Sequence, residues 1–187
     1  PPPGRPIISA NGSPTEKISQ LVDHFLTPTT FSLKSHVRDT THFLRILNGI
    51  IDLPENTLLV TLDVESLYTN IPTALGLEAA KITLQKSRPQ CNVKPSNATL
   101  LRLLELVLTK NNFQFNGQHF LQIKGTAMGT KAAVGYANTT LGRVEDLHVY
   151  TYKDQPMVYL RYIDDIFICW TLGEEKLMTF IQHMNSC

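Results

Sequence analysis

The most constraining feature of the chain is a pair of aspartates set between two apolar runs. The run MVYLRYI precedes Asp164 and Asp165, and the run IFICW follows them. Apolar, β-branched and aromatic runs joined by a short polar turn predict an antiparallel hairpin with the two acids at its tip. Such acids are stable only where they are solvated, paired or bound to a cation. A solvent-exposed turn and a cation site therefore both remain open for this pair.

A third acid follows a second apolar run. The segment TLLVTL at 57–62 predicts a buried strand that ends at Asp63. If both runs belong to one small sheet, Asp63 can lie beside Asp164 although the two are distant in sequence. Carboxylates suit Mg²⁺, and two such ions about 4 Å apart can activate a 3′ hydroxyl and neutralise a leaving pyrophosphate. The pattern favours nucleotidyl transfer, and a divalent-ion site in an unrelated hydrolase is the alternative.

The remaining signals mix helices and strands without strict alternation. SPTE at 13–16 predicts a capping box at the start of a first helix, and NG at 48–49 predicts a left-handed stop to a second helix at 37–47. NG at 116–117 predicts a type I′ hairpin at 112–123. Further helices are predicted at 73–86, 97–110, 131–148 and 174–184, with a glycine turn at 125–129. We expect an α+β fold in which helices cover one face of a small antiparallel sheet.

Composition narrows the class of protein. With 187 residues, 42% apolar and 18% charged, the chain can form one globular domain, with room for a small lobe. Its net charge of +1 is low for a dedicated nucleic-acid module. The 3 cysteines form no CxxC pair and the 6 histidines have no partner at zinc-ligand spacing, so neither a structural zinc nor a disulfide is expected. No membrane span or signal peptide is recognisable, which predicts an intracellular protein without membrane contact.

Four segments together are similar to those of one enzyme family. YIDD at 162–165 resembles the YxDD box of reverse transcriptases, and LVTLDVESLYTNIP at 59–72 resembles their first palm motif. With GTAMGTKAAVGYANTTLGRVE at 125–145 and GRPIISANGSPTEKISQLVDHFL at 4–26, they resemble Penelope-like element reverse transcriptases, a group close to telomerase. The resemblance implies an RNA-directed DNA polymerase of a retroelement that works in the nucleus. It implies a reverse transcriptase palm with partial fingers, and it does not extend to a thumb or to a GIY-YIG endonuclease.

The resemblance also divides the chain and assigns its acids. It implies partial fingers at about 1–50 and mainly palm at about 51–187. Asp63 and Asp164 match the catalytic carboxylates that bridge two Mg²⁺ ions, for which Mn²⁺ can substitute. Asp165 matches the supporting acid, and the carbonyl of Val64 is expected to complete a metal shell.

Further residues match the positions that hold substrates in this family. The nucleotide-binding set is Arg5, Tyr68, Gly125, Met128 and Gly129, and the set expected to contact an RNA or DNA template with its primer is Lys124, Lys131 and Tyr162. Tyr68 matches the side chain that excludes a ribose 2′ hydroxyl and so selects deoxynucleoside triphosphates. Arg5 matches the arginine that holds the triphosphate through its planar charged fork. Ordinary packing for the tyrosines, and solvated surface for the basic residues, are the competing interpretations.

One position departs from the family pattern, since Val134 stands where a proline is expected. A decayed or domesticated palm fragment that binds nucleic acid or a protein partner without catalysis is therefore the alternative function. Both functions predict the same fold, so only the chemistry distinguishes them.

Overall fold

A computed structural model describes residues 7–88 and 94–187. In this part of the chain the helices are α1 (Glu16–Thr30), α2 (Thr40–Asn48), α3 (Leu67–Asn70), α4 (Thr73–Ser87), α5 (Asn97–Thr109), α6 (Ala133–His148) and α7 (Glu174–Asn185). The strands are β1 (Leu58–Asp63), β2 (Asn112–Phe115), β3 (Gln118–Leu121), β4 (Val158–Tyr162) and β5 (Asp165–Trp170). None of the described helices combines the length and the apolar character needed to cross a membrane.

The chain folds into two compact units, each built from two segments. The sheet unit consists of Phe31–Glu65 and Leu141–Cys187, and the helical unit consists of Ser66–Thr140 with the described residues up to Thr30. The division falls inside α6. Because each unit takes up two separate stretches of chain, this division does not test the predicted boundary near residue 50. The assignment of fingers and palm stays a prediction.

The sheet unit is centred on an antiparallel sheet with the strand order β1-β5-β4. Successive side chains of a strand point to opposite faces, and Ile166, Ile168 and Trp170 of β5 share one face. Leu177 and Phe180 of α7 join them in a buried cluster, in which Ile168, Trp170 and Phe180 are 0% exposed. A helix therefore covers one face of the sheet, as the sequence predicted.

The opposite face of the sheet is more open. It carries Asp165 and Phe167 of β5, and Phe43 of α2 packs edge-on against Phe167 with ring centroids 5.2 Å apart. Helix α2 buries none of its residues, so its cover of this face is partial. On β1, which is an edge strand, Leu59 is 67% exposed. The prediction of a buried strand at this position is therefore wrong, because β1 has a strand partner on one side only and an incompletely covered outer face.

Three helices and a hairpin make up most of the helical unit. Helices α1, α4 and α5 contact one another, and their buried aliphatic residues include Val22, Leu26, Ala79, Ala80, Leu84, Leu100 and Leu104. The hairpin of β2 and β3 turns at Asn116 and Gly117, which have φ of 48° and 77°. Both angles are positive, so the predicted type I′ turn is confirmed.

The start of α1 differs from the predicted capping box. The carboxylate of Glu16 accepts a hydrogen bond from the Gly12 N–H at 2.8 Å, whereas the Ser13 hydroxyl pairs with the Thr15 hydroxyl at 3.2 Å. The predicted capping box is therefore wrong in its reciprocal hydrogen bonds, from the Glu16 N–H to the Ser13 side chain and from the Ser13 N–H to the Glu16 side chain. A turn at residues 11–15 precedes the helix and contains Ser13.

Two further local features depart from expectation. Gly49 has φ of −86° and donates its N–H to the Ile46 carbonyl, so the chain leaves α2 in a right-handed turn and the predicted left-handed stop is wrong. The positive φ comes later, at Asp52 with 60°. The short helix α3 was not predicted, because its four residues are too few to show a helical period.

Candidate active site

The three aspartates come together at one end of the sheet. Asp63, the last residue of β1, pairs directly with Asp165, the first residue of β5. The Val64 N–H donates to the Asp164 carbonyl at 3.1 Å. Directly opposed residues of antiparallel strands have Cβ atoms about 4.5–5.5 Å apart on the same face. The fold thus brings acids from two distant segments into adjacent positions.

Tyr162 belongs to the same edge of the sheet. It pairs with Asp165 across the β4–β5 hairpin and is 47% exposed. Asp63 and Asp165 are exposed, and Asp164 is half-buried in the turn. All three carboxylates can therefore be reached from solvent. The pairing of two apolar strands does not by itself require this exposure.

The turn that carries Asp164 is strained. Ile163 has φ of 57°, a left-handed conformation that costs an L residue about 1–2 kcal/mol and is worst for β-branched side chains. Arg161 donates from Nη1 to the Ile163 carbonyl at 2.8 Å. A hydrogen bond from a buried cation therefore holds the strained residue next to the acid.

Arg161 is itself part of a buried polar network. It is 1% exposed, Glu145 is 2% exposed, and the Arg161 Nε lies 2.5 Å from Glu145 Oε1. The Ser35 hydroxyl donates to Glu145 Oε2 at 2.6 Å, and the Arg161 N–H donates to the Ser35 carbonyl at 2.7 Å. Buried charges are tolerated only when paired and hydrogen-bonded in this way. Sequence analysis missed this network, although a lone arginine inside the apolar run VYLRYI was a signal for it.

His36 lies beside this network and stays neutral more readily than an ordinary histidine. Burial, followed by the positive charge of Arg161 and by smaller contributions from His42 and Arg38, lowers the pKa of His36 below its ordinary 6.5. Its Nε2 is buried, and no hydrogen-bond partner for it exists among the described residues. Burial and the positive charge of Arg161 therefore disfavour protonation of His36.

An open, mostly apolar cavity of about 530 Å³ lies beside the acids in the sheet unit. Phe43, Leu160 and Phe167 contribute apolar walls, and Tyr162 and Asp165 stand at its border. Ligand sites are commonly concave, with few polar groups among apolar ones. The end of the sheet thus forms a recess in which Asp165 faces a cavity.

The donor set of the three acids fits a hard divalent cation, because it consists of oxygen atoms alone. The ligand oxygens do not all lie within 4.8 Å of one another, since the aspartates are not among the groups that meet this distance in the described chain. Like charges at close range repel each other.

The predicted nucleotide-binding residues of the helical unit partly come together. A Cβ on Gly125, which has φ of 71°, would lie 2.6 Å from the Tyr68 carbonyl oxygen. The Thr126 N–H donates to that same carbonyl at 2.7 Å. Only glycine combines this φ with so close an approach. The contact joins Tyr68 to the glycine turn.

The other end of the glycine turn meets the chain that precedes α1. Gly129 forms a bridge with Ser9, and a Cβ on Gly129 would lie 2.0 Å from the Ile8 carbonyl oxygen. Met128 is half-buried, and Lys124 and Lys131 are exposed. Arg5 lies outside the described residues. The glycines are therefore needed for backbone packing whatever else they do.

Comparisons with known proteins address the fold. No family model matches the chain, and no curated protein sequence matches it. The apo telomerase of Candida tropicalis truncated from its C-terminal domain matches with a TM-score of 0.60 and 16% identity over 94% of this chain and 36% of that chain. The telomerase of Candida albicans in complex with a TWJ fragment of telomeric RNA matches with a TM-score of 0.62 and 9% identity over 92% of this chain and 32% of that chain.

The chain has the fold of that part of telomerase. The predicted α+β class with a reverse-transcriptase-like arrangement is therefore confirmed. The chain spans about a third of the length of these telomerases. At such low identity the likeness concerns the fold, and the chemistry must be argued from the residues themselves.

Proposed function

We propose that this chain is the palm, with part of the fingers, of an RNA-directed DNA polymerase of the Penelope-like retroelement type. It joins deoxynucleoside triphosphates to a primer 3′ hydroxyl on an RNA or DNA template, in the nucleus. One observation carries the proposal: Asp63 stands opposite Asp165 at the ends of neighbouring strands, with Asp164 in the adjoining turn. The telomerase fold around these strands supports it.

Metal binding belongs to the same proposal. Asp63, Asp164 and Asp165, with the carbonyl of Val64, would hold two Mg²⁺ ions or Mn²⁺ in their place. When bound, such ions supply activation of the attacking hydroxyl and neutralisation of the leaving pyrophosphate. The chain itself contributes the placement of the carboxylates, through strand pairing and through the turn that Arg161 supports.

The remaining residues would position the substrates. Tyr68 would crowd a ribose 2′ hydroxyl, and the glycine turn of Gly125, Met128 and Gly129 would let backbone approach the incoming nucleotide. Exposed Lys124 and Lys131 would contact phosphates, which fixes position without reading sequence. Tyr162 would support the primer end, and Arg5 would hold the triphosphate. Nucleic acid as a partner is supported by the Candida albicans telomerase of similar fold, which is in complex with a TWJ fragment of telomeric RNA.

Primer extension by the 187-residue chain tests the proposal. With a primer on an RNA template, deoxynucleoside triphosphates and Mg²⁺, we expect extension that Asp164→Asn reduces by at least about 10³-fold, since asparagine keeps the shape of aspartate but lacks the negative charge that would hold the metal ions. Asp52→Asn is the matched control, because Asp52 is exposed and asparagine tolerates its φ of 60°. Equal loss in both variants would contradict a specific role of Asp164.

A catalytically inactive palm that binds nucleic acid or a protein partner is the second candidate. Two observations favour it: the carboxylate oxygens are not gathered in one cluster, and Val134 replaces an expected proline. This candidate predicts that Asp164→Asn binds a duplex as tightly as the wild type does, and that neither the wild type nor the variant extends the primer. Mn²⁺ titration of the wild type separates the two candidates further, because only the polymerase requires tight metal binding that Asp164→Asn removes.

A further inference from the structure

A second group of metal-ligating side chains lies in the sheet unit, away from the aspartates in sequence. The ligand atoms of His148, His183 and Cys187 all lie within 4.8 Å of one another. His148 is the last residue of α6, His183 is in the last turn of α7, and Cys187 follows that helix. None of them has a role in the proposed polymerase. Sequence analysis expected no zinc here, yet His183 and Cys187 stand four residues apart, one helical turn, which was an available signal.

Local structure holds these side chains in place. The ring of His183 stacks on Tyr152, with centroids 4.8 Å apart and an interplanar angle of 24°. The ring of His148 lies 5.5 Å from that of His183. The Cys187 N–H donates to the Met184 carbonyl at 3.4 Å, and its Sγ lies 3.2 Å from the His183 carbonyl. The helix end therefore turns the thiol back toward the imidazole of His183.

The imidazoles are also available for ligation. In the described chain, neither His148 nor His183 has a side-chain hydrogen bond, and both rings contact aromatic rings. Both side chains are half-buried and Cys187 is exposed. A metal ligand needs an unprotonated ring nitrogen with a free lone pair, and each of these rings can offer one without breaking an existing bond.

We propose that His148, His183 and Cys187 form a zinc site. Two imidazole nitrogens and one thiolate are ligands that Zn²⁺ prefers, at about 2.0–2.1 Å for nitrogen and about 2.3 Å for sulfur. Tetrahedral geometry then sets the ligand atoms roughly 3.3–3.6 Å apart, so side-chain rotations that move these atoms by about 1 Å close the site. The three residues leave one position for water or a further ligand.

The ligand chemistry separates this site from the aspartates. Thiolate and imidazole select Zn²⁺ over Mg²⁺, whereas carboxylates alone select the harder ion. The proposal therefore does not rest on the polymerase function. Zinc at this position would tie the end of α6 to the last turn of α7, the helix that buries Leu177 and Phe180 in the core of the sheet unit.

Titration of the reduced, chelator-treated 187-residue chain with Co²⁺ and then Zn²⁺ tests the site. We expect one Co²⁺ per chain to give a near-ultraviolet thiolate-to-cobalt absorption band, and Zn²⁺ to abolish that band by displacing this ion. Loss of even an outer-shell partner weakens metal binding by about 10–100-fold, so His148→Ala, His183→Ala and Cys187→Ser should each weaken Zn²⁺ binding by at least about 100-fold. Zinc should also raise the unfolding temperature of the wild type by several degrees and leave that of the variants unchanged.

Two controls make the outcome decisive. His119→Ala, on the exposed strand β3, should keep full Zn²⁺ affinity, and so should Asp164→Asn. Circular dichroism of the metal-free variants checks folding, which should be preserved because the substituted side chains are at most half-buried. Unchanged Zn²⁺ affinity in Cys187→Ser, or a cobalt complex without the thiolate band, would overturn the site. Loss of Zn²⁺ binding in Asp164→Asn alone would assign the zinc to the aspartates and overturn it as well.

Discussion

At the scale of single residues, Arg161 links the interior of the sheet unit to the turn that bears Asp164. Its guanidinium pairs with the buried Glu145 and also donates to the carbonyl of the strained Ile163. An ion pair of this kind is costly to form but still more costly to break, because removal of one partner leaves the other charged and buried. Arg161 is therefore a positioning residue, which acts on the acids through the backbone of the turn.

Replacement of Arg161 by methionine should show how much stability is lost when the buried ion pair is broken. We expect Arg161→Met to lower the free energy of unfolding by about 3–5 kcal/mol, and Arg161→Met with Glu145→Leu to recover most of that loss. Urea unfolding followed by the fluorescence of Trp170, the single tryptophan, reports on the sheet unit. The control is Lys176→Met in α7 of the same unit, whose ammonium is exposed and pairs with Asp154, and which should cost less than about 1 kcal/mol. Similar losses in Arg161→Met and Lys176→Met would contradict the argument.

His36 gives the sheet unit a dependence on pH. Its pKa is lowered in the folded state by burial and then by Arg161, so between that lowered value and 6.5 the unfolded chain binds more protons than the native chain. Stability is then complete above about pH 6.5 and falls as the pH drops below it. His36→Gln should lose less stability than the wild type between pH 7.5 and pH 5.5, measured by the same fluorescence. An identical pH dependence in the two proteins would exclude His36 as the source.

At the scale of elements, the glycine turn between β3 and α6 combines two constraints. Gly125 has positive φ and also packs against the backbone of Tyr68 and Thr69, whereas Gly117 in the β2–β3 hairpin has positive φ with nothing within 4 Å of a Cβ. Gly117 therefore has only the constraint of positive φ, whereas Gly125 combines positive φ with a close backbone contact.

The pair predicts two different costs. Gly117→Ala should lower stability by about 1–2 kcal/mol, the cost of a left-handed alanine. Gly125→Ala should cost clearly more, because the backbone it meets at 2.6 Å cannot move aside as a flexible side chain would. Thermal unfolding followed by circular dichroism measures both. Equal costs would mean that the backbone at Tyr68 shifts freely, and would weaken the argument that this contact fixes the turn.

At the scale of the whole molecule, charge is nearly balanced, with a net charge of +1. Binding to nucleic acid must then depend on a few basic residues rather than on an overall field. Each phosphate that a lysine neutralises adds about 0.9 to the slope of log affinity against log salt for duplex DNA. Exposed Lys124 and Lys131 are the residues to which we assign this contact.

Removal of both lysines should therefore weaken duplex binding equally for all sequences and reduce the salt slope by about 2. The measurement is fluorescence anisotropy of a labelled primer–template duplex at several salt concentrations. Lys176→Ala is the control, because its ammonium already pairs with Asp154 at 2.9 Å. If the control changes the slope as much as the double variant does, the contact lies elsewhere.

The sequence by itself determined most of the helices and strands, and the position of two acids at the turn of the β4–β5 hairpin. Asp164 and Asp165 lie where two apolar runs meet, and the Asn-Gly turn at 116–117 has the predicted form, because element type and turn type depend on residues close together in the chain. The approach of β1 to this hairpin was also predicted, although the residue directly opposite Asp63 is Asp165 and not the expected Asp164.

Only the tertiary structure decided which side chains are buried together. The ion pair of Arg161 with Glu145, the exposure of β1 and the meeting of His148 with His183 all depend on how distant segments pack, and no local period records that packing. The strain at Ile163 likewise comes from strand register and from a hydrogen bond to a buried arginine. The acidic residues of the candidate site were thus recognisable in the sequence, whereas the contacts that hold them in place depend on packing across the fold.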